Sequence, residues 1–169
     1  MAIELHGYQY SVYSWIARLA LHEKGVAYDW VEVNPFAENF PASYLAMHPF
    51  KRVPVLVHDG LVVYETGAIT RYVDEAFEGP ELQSMEPRTR ARCNQIMSIV
   101  DSYAYWPLVR QVFSDGVFRP RMGLPADENN FEKASKLRRG SCQHWRKPSS
   151  RDHISAAINY RSRTFISRR

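Results

Sequence analysis

Cysteine is nearly absent. Cys93 and Cys142 are the only two in 169 residues, so no disulfide framework organises the chain and a reducing, cytoplasmic setting is expected. Long apolar runs are missing too. No stretch approaches the roughly 20 apolar residues that a membrane helix needs, so no membrane partner is expected. The opening MAIELHGY lacks a basic region ahead of an apolar one, and no secretory leader is expected. The six histidines show no metal-ligand spacing, and Cys142, His144 and His153 are too thin a set for zinc. No internal repeat is present, which excludes a solenoid.

What remains is the composition of a globular protein, 45% hydrophobic and 13% aromatic, long enough to bury a core. Its charge is unevenly placed. Residues 139–169 hold eight Lys/Arg against one acid, Asp152; that net +7 leaves −3 on residues 1–138 of the total of +4. Such asymmetry raises the question of a nucleic-acid arm. The basic segment carries no helical face, and no nucleic-acid partner is expected.

The order of elements is clearer. AIELH (2–6) reads as a strand, and Ile16, Leu19 and Ala20 trace one helical face that ends at Gly25. AYDWVEV (27–33) reads as a second strand, and residues 34–49 hold one short helix among three prolines. In VPVLVHDGLVVYE, two β-rich runs flank Asp59-Gly60, the pair that suits a type I′ hairpin. Pro54 fits only the entry of its strand, because it has no N–H for the ladder. Ile69, Tyr72, Val73 and Ala76 then predict a helix to about Phe77. The predicted order β-α-β-(α)-β-β-α is a compact α/β unit. After a linker (78–87), Pro87 opens a helix with Cys93, Ile96, Val100 and Tyr103 at helical spacing. Pro107 is expected to kink or end it. Asp127 or Asn130 is expected to cap a further helix to about Arg138.

Three segments, in this order and spacing, resemble the glutathione S-transferases, most closely the phi-type (serine) branch: GYQYSVYSWIARLALHEKG (7–25), HPFKRVPVLVHDGLVVYE (48–65) and ETGAITRYV (65–73). The resemblance implies an α/β thioredoxin-like N-terminal domain (1–79) followed by a partial all-α domain (87–138). It also implies a reaction, in which the glutathione thiolate attacks a small hydrophobic electrophile. Glutathione would be the co-substrate, no metal would be needed, and the protein would be a homodimer. A catalytically silent glutathione-binding or interaction protein is the alternative.

The chemistry can be read beside the resemblance. A free thiol has a pKa of about 8.5, so only a few per cent is thiolate at neutral pH. A hydroxyl donor and a helix N-terminus both favour the anion. Ser11 stands just before the first helix, and the resemblance makes it the thiolate stabiliser. Helix capping is the other reading of Ser11, and Ser14 and Tyr8 are rival hydroxyls. The resemblance further implies a cis Val53-Pro54 bond, with the backbone of Val53 pairing with the cysteinyl part of glutathione. It places the γ-glutamyl carboxylate on Thr66 at a helix start, with Glu65 accepting from the ligand amino group. Where the family has Gly-Gln this chain has Lys51-Arg52. Arg52 could still donate to the ligand and Lys51 face its glycine carboxylate. ENFPAS (38–43) has no match for the family's basic residues, and the absence of cysteine before Cys93 disfavours Cys-dependent thiol transfer.

Residues 139–169 have a second reading. Taking the last base of each codon with the first two of the next, Asn159 into Tyr160 gives Leu whichever codons are used. The following junctions permit Ser-Leu-Ala-Asp-Leu, a capping-box text that opens a helix. A frameshift near Arg138–Gly140 is therefore expected, leaving a basic, disordered or out-of-frame tail.

Overall fold

The computed structural model describes residues 2–134. The expectations for residues 139–169, and for the end of the helix near Arg138, lie outside the described residues. The chain divides into two compact units between Gln83 and Ser84.

The first unit has the predicted element order: β1 (Ile3–Gly7), α1 (Val12–Glu23), β2 (Asp29–Glu32), α2 (Ala42–Met47), β3 (Val55–His58), β4 (Leu61–Tyr64) and α3 (Thr66–Ala76). The strands form one mixed sheet in the order β2-β1-β3-β4. β1 lies parallel to β2, with Gly7 opposite Glu32. It lies antiparallel to β3, with His6 opposite Val55, and β3 pairs antiparallel with β4, Val55 opposite Tyr64. This arrangement is the α/β thioredoxin-like one that the resemblance implies.

Burial alternates along β1, as expected of a strand with a period of two. Ile3 and Leu5 meet Leu56 on one face, where Ala17 and Leu21 of α1 and Ile69 and Val73 of α3 close the core. A second cluster gathers Val33, Tyr44 and Val55, with Phe40, Met47 and Val53 packed against it. The Asp59-Gly60 turn has φ of +46° and +88°, the left-handed pair a type I′ hairpin requires.

The face of α1 differs from expectation. Ile16 and Leu19 are 41% and 48% exposed, and the inward positions are Ser14, Ala17, Ala20 and Leu21. The sheet approaches α1 closely at Gly7, where a Cβ would stand 2.5 Å from the Trp30 ring and 2.8 Å from Ser14 Oγ. The small Ser14 therefore faces the sheet at this point, while Leu21, two turns further along α1, fills the core. Lys24, at the C-terminal end of α1, forms a buried ion pair with Asp74 of α3 at 3.1 Å. Asp74 also accepts the Leu82 and Gln83 N–H groups at 2.8 and 3.0 Å.

In the second unit α4 (Pro87–Ile99) has the expected first-turn proline. Glu86 caps it by accepting the Arg88 and Thr89 N–H groups, and those bonds hold its carboxyl below the usual range. The helix does not end at Pro107. It continues to Arg121 through wider turns at Val100–Ala104 and Trp106–Phe118 and a last α-turn, α5 (Arg119–Arg121). In a regular α-turn the proline ring would clash with the carbonyl four residues back, and the widened register begins ahead of it. Of the residues at helical spacing, Cys93 and Ile96 are half-buried, while Val100 and Tyr103 are 44% and 75% exposed. Of the two possible caps for the next helix the structure uses Asp127, whose Oδ1 accepts the Asn130 N–H at 3.0 Å.

Candidate active site

Strand register brings the sequence-selected residues to one end of the sheet. β1 leaves the sheet at Gly7, beside the point where β3 enters at Val55 and β4 leaves at Tyr64. The loop to Ser11, the Val53-Pro54 pair and the Glu65-Thr66 pair each adjoin one of those strand ends. The topology thus gathers three sequence-distant segments on one edge.

The loop after β1 is held from several sides. The Ser11 N–H donates to the Tyr8 carbonyl at 2.9 Å, the Gln9 N–H to Glu32 Oε1 at 3.1 Å and the Trp15 indole N–H to the Gln9 carbonyl at 2.8 Å. Ser11 is the N-cap of α1, and its Oγ accepts the Ser14 N–H at 3.3 Å. Capping and catalysis do not compete for the same part of the group. The cap uses a lone pair and leaves the hydroxyl proton available to a sulfur. Ser14 is buried, and its Oγ accepts the Tyr8 N–H at 3.2 Å. Its role there is to join the β1 end to α1. Burial, with Tyr10 and Glu32 nearby, raises the Tyr8 pKa, so its phenol keeps its proton.

Val53-Pro54 is cis. Pro54 is buried and Val53 half-buried, while Lys51 and Arg52 are exposed. Lys51 has φ of +53°, the left-handed region that favours the glycine of the family pattern. The Tyr44 hydroxyl donates to the Arg52 carbonyl at 2.7 Å, and the Lys51 N–H donates to the His48 carbonyl at 3.2 Å. Glu65 also has a positive φ, +69°. It occupies the cap position of α3 without a side-chain bond to the helix. Thr66 is the first residue of α3, where helical N–H groups have no intrahelical acceptor.

Sequence reading missed the aromatic surroundings. The Tyr8 ring meets Tyr10 and Phe36 edge-on, with centroids 5.4 and 5.9 Å apart, and Tyr10 and Phe36 are 53% and 62% exposed. The buried His48 ring lies 4.6 Å from the Tyr64 ring. Only the aromatic letters themselves could have signalled these contacts, since no periodicity links residues 8, 36, 48 and 64. Among the described residues no group of His, Cys, Asp and Glu could hold a metal ion.

The family described as "Glutathione S-transferase, N-terminal domain" matches residues 5–81. Residues 5–81 are a glutathione S-transferase N-terminal domain. Glutathione S-transferase F10 of Arabidopsis thaliana is 33% identical over 123 residues, which cover 71% of this chain and 57% of that protein. Glutathione transferase F7 of Populus trichocarpa superposes with a TM-score of 0.70 at 28% identity, covering 88% of this chain and 72% of that one. The theta class glutathione S-transferase of Xanthomonas axonopodis pv. citri, solved with glutathione bound, gives a TM-score of 0.69 at 30% identity, covering 79% and 63%. The phi-type resemblance of the glutathione S-transferase domain accords with the Arabidopsis F10 and Populus F7 relatives. The chain spans 57% and 66% of the length of two of its curated relatives.

Proposed function

We propose that this chain binds glutathione at the edge formed by residues 8–11, 51–54 and 65–66 and transfers its thiolate to a small hydrophobic electrophile. The observation that carries the proposal is the register, which brings a hydroxyl-bearing loop, a cis-proline strand entry and a helix start to one end of a four-stranded sheet. Ser11 donates its hydroxyl proton to the sulfur at the N-terminus of α1. The Val53 backbone pairs with the cysteinyl residue. Thr66 receives the γ-glutamyl carboxylate at the start of α3, and Glu65 receives the amino group. Lys51 and Arg52 supply positive charge near the glycine end. Tyr10 and Phe36 offer an exposed aromatic wall for the electrophile. The relatives' names favour turnover over a silent binding module. A homodimer in the cytoplasm is the proposed working form, with no metal.

The test is a glutathione titration that follows thiolate absorbance. With the wild type the bound thiol is expected to ionise below its free pKa of about 8.5. In Ser11→Ala the bound pKa should return toward that value, with a loss of turnover at neutral pH of about tenfold per unit. An equal bound pKa in both proteins removes Ser11 from the role.

A further inference from the structure

The proposed site depends on a backbone N–H, that of Val53, and a backbone group has no rotamer of its own. Its direction is set by the peptide plane between Arg52 and Val53. That bond is trans, so its C=O and N–H point in opposite directions across a rigid plane. The C=O end is fixed: Arg52 O accepts the Tyr44 hydroxyl at 2.7 Å. Fixing one end of the plane fixes the other, and the Val53 N–H is directed away from Tyr44.

Tyr44 is well placed to act as an anchor. It lies on α2, is 2% exposed, and packs in the cluster with Val33 and Val55. Its ring meets Phe40 edge-on at 5.2 Å and stacks over His48 at 6.4 Å with an interplanar angle of 18°. The Tyr44 and Leu45 N–H groups both donate to the Pro41 carbonyl, and the Tyr44 carbonyl accepts the His48 N–H at 2.8 Å. The hydroxyl is thus carried on a buried ring whose position is set by β-strand and helix contacts, while its target lies in an exposed loop. Burial raises the phenol's pKa far above neutrality, so the group remains an O–H donor throughout the working range.

We propose that Tyr44 is a positioning residue of the glutathione site: its hydroxyl locks the Arg52–Val53 peptide plane and thereby aims the Val53 N–H at the cysteinyl carbonyl. The assignment rests on the function proposed above. Tyr44 touches no ligand atom and acts through the plane alone.

The test uses the full chain labelled with ¹⁵N, wild type and Tyr44→Phe. In the free protein, the Val53 N–H residual dipolar coupling is expected to differ between the two, while couplings across β1 and β3 agree. On glutathione titration the Val53 amide proton should move downfield in the wild type and much less in Tyr44→Phe, with the Thr66 amide responding alike in both. Affinity should fall about three- to tenfold, the scale of one net hydrogen bond. An unchanged Val53 coupling in Tyr44→Phe overturns the proposal, and so does an equal loss of response at Val53 and Thr66, which would mark general damage to the site. If Tyr44→Phe fails to fold, the wild type still decides. A Val53 coupling that is the same free and saturated supports a plane set beforehand, and a changed one overturns it. A wild type in which neither amide responds to glutathione overturns the proposed function instead, while the coupling difference in the free proteins still tests Tyr44.

Discussion

His48 shows how a single side chain can carry a pH dependence. It is 1% exposed, and its Nδ1 has no hydrogen-bond partner among the described residues. Burial lowers its pKa below the ordinary 6.5, the Glu65 carboxylate opposes that shift, and the Arg52 guanidinium adds to it. The unfolded chain therefore takes up a proton on this ring at a pH where the folded chain does not. The stabilising contribution is complete above pH 6.5 and is lost as pH falls through the lowered folded value. Urea midpoints at pH 7.5 and pH 5 should drop further for the wild type than for His48→Gln, and equal drops would exclude His48 as the source. The same scale explains the left-handed backbone at Lys51 and Glu65. Such φ values cost about 1–3 kcal/mol outside glycine, and both fall at the proposed ligand edge.

At the scale of elements, α1 and α3 are joined by the Lys24–Asp74 pair as well as by apolar packing. Both side chains are largely withdrawn from water, 3% and 10% exposed, and Asp74 also holds the chain at Leu82 and Gln83. Asp74→Ala leaves a buried ammonium without its partner and is expected to cost about 3–5 kcal/mol in urea unfolding. The paired change Lys24→Met with Asp74→Leu should cost much less, because no buried charge is then stranded. The outward apolar row of α1 belongs to this scale too. Sequence periodicity locates a helix but does not say which of its faces the sheet approaches. The close approach at Gly7, where a Cβ would meet the Trp30 ring and Ser14 Oγ, marks the face that turns inward.

At the scale of the molecule, the proposed glutathione site and the core share one unit. The strand ends that frame the site belong to β1 and β3, and the same strands supply Leu5 and Leu56 to the buried cluster. Ligand binding should therefore stabilise that core by mass action, by about 2.7 kcal/mol at 100 times Kd. Native-state hydrogen exchange at the Leu5 and Leu56 amides should slow roughly a hundredfold under those conditions. Exchange unaffected by saturating glutathione would show that the core opens without releasing the ligand, and would separate the site from the fold.

The sequence by itself determined the element order of the first unit, the Asp59-Gly60 hairpin, the strand-entry proline and the first-turn proline of α4. Each rests on chemistry within a few residues of the chain: a period, a fixed proline φ, a left-handed turn. It also singled out Ser11, Val53-Pro54 and Glu65-Thr66, because their segments are short and resemble a family pattern. Only the tertiary structure decided which face of α1 turns inward, that the helix continues past Pro107, and that Tyr44, His48 and Phe36 lie around the site. The inward face of α1 depends on a close approach between segments far apart in sequence, such as Gly7 with Trp30. The contact of Tyr44 with Arg52 depends on how α2 packs against the following loop, and no local pattern records which side chains will meet once the chain is folded.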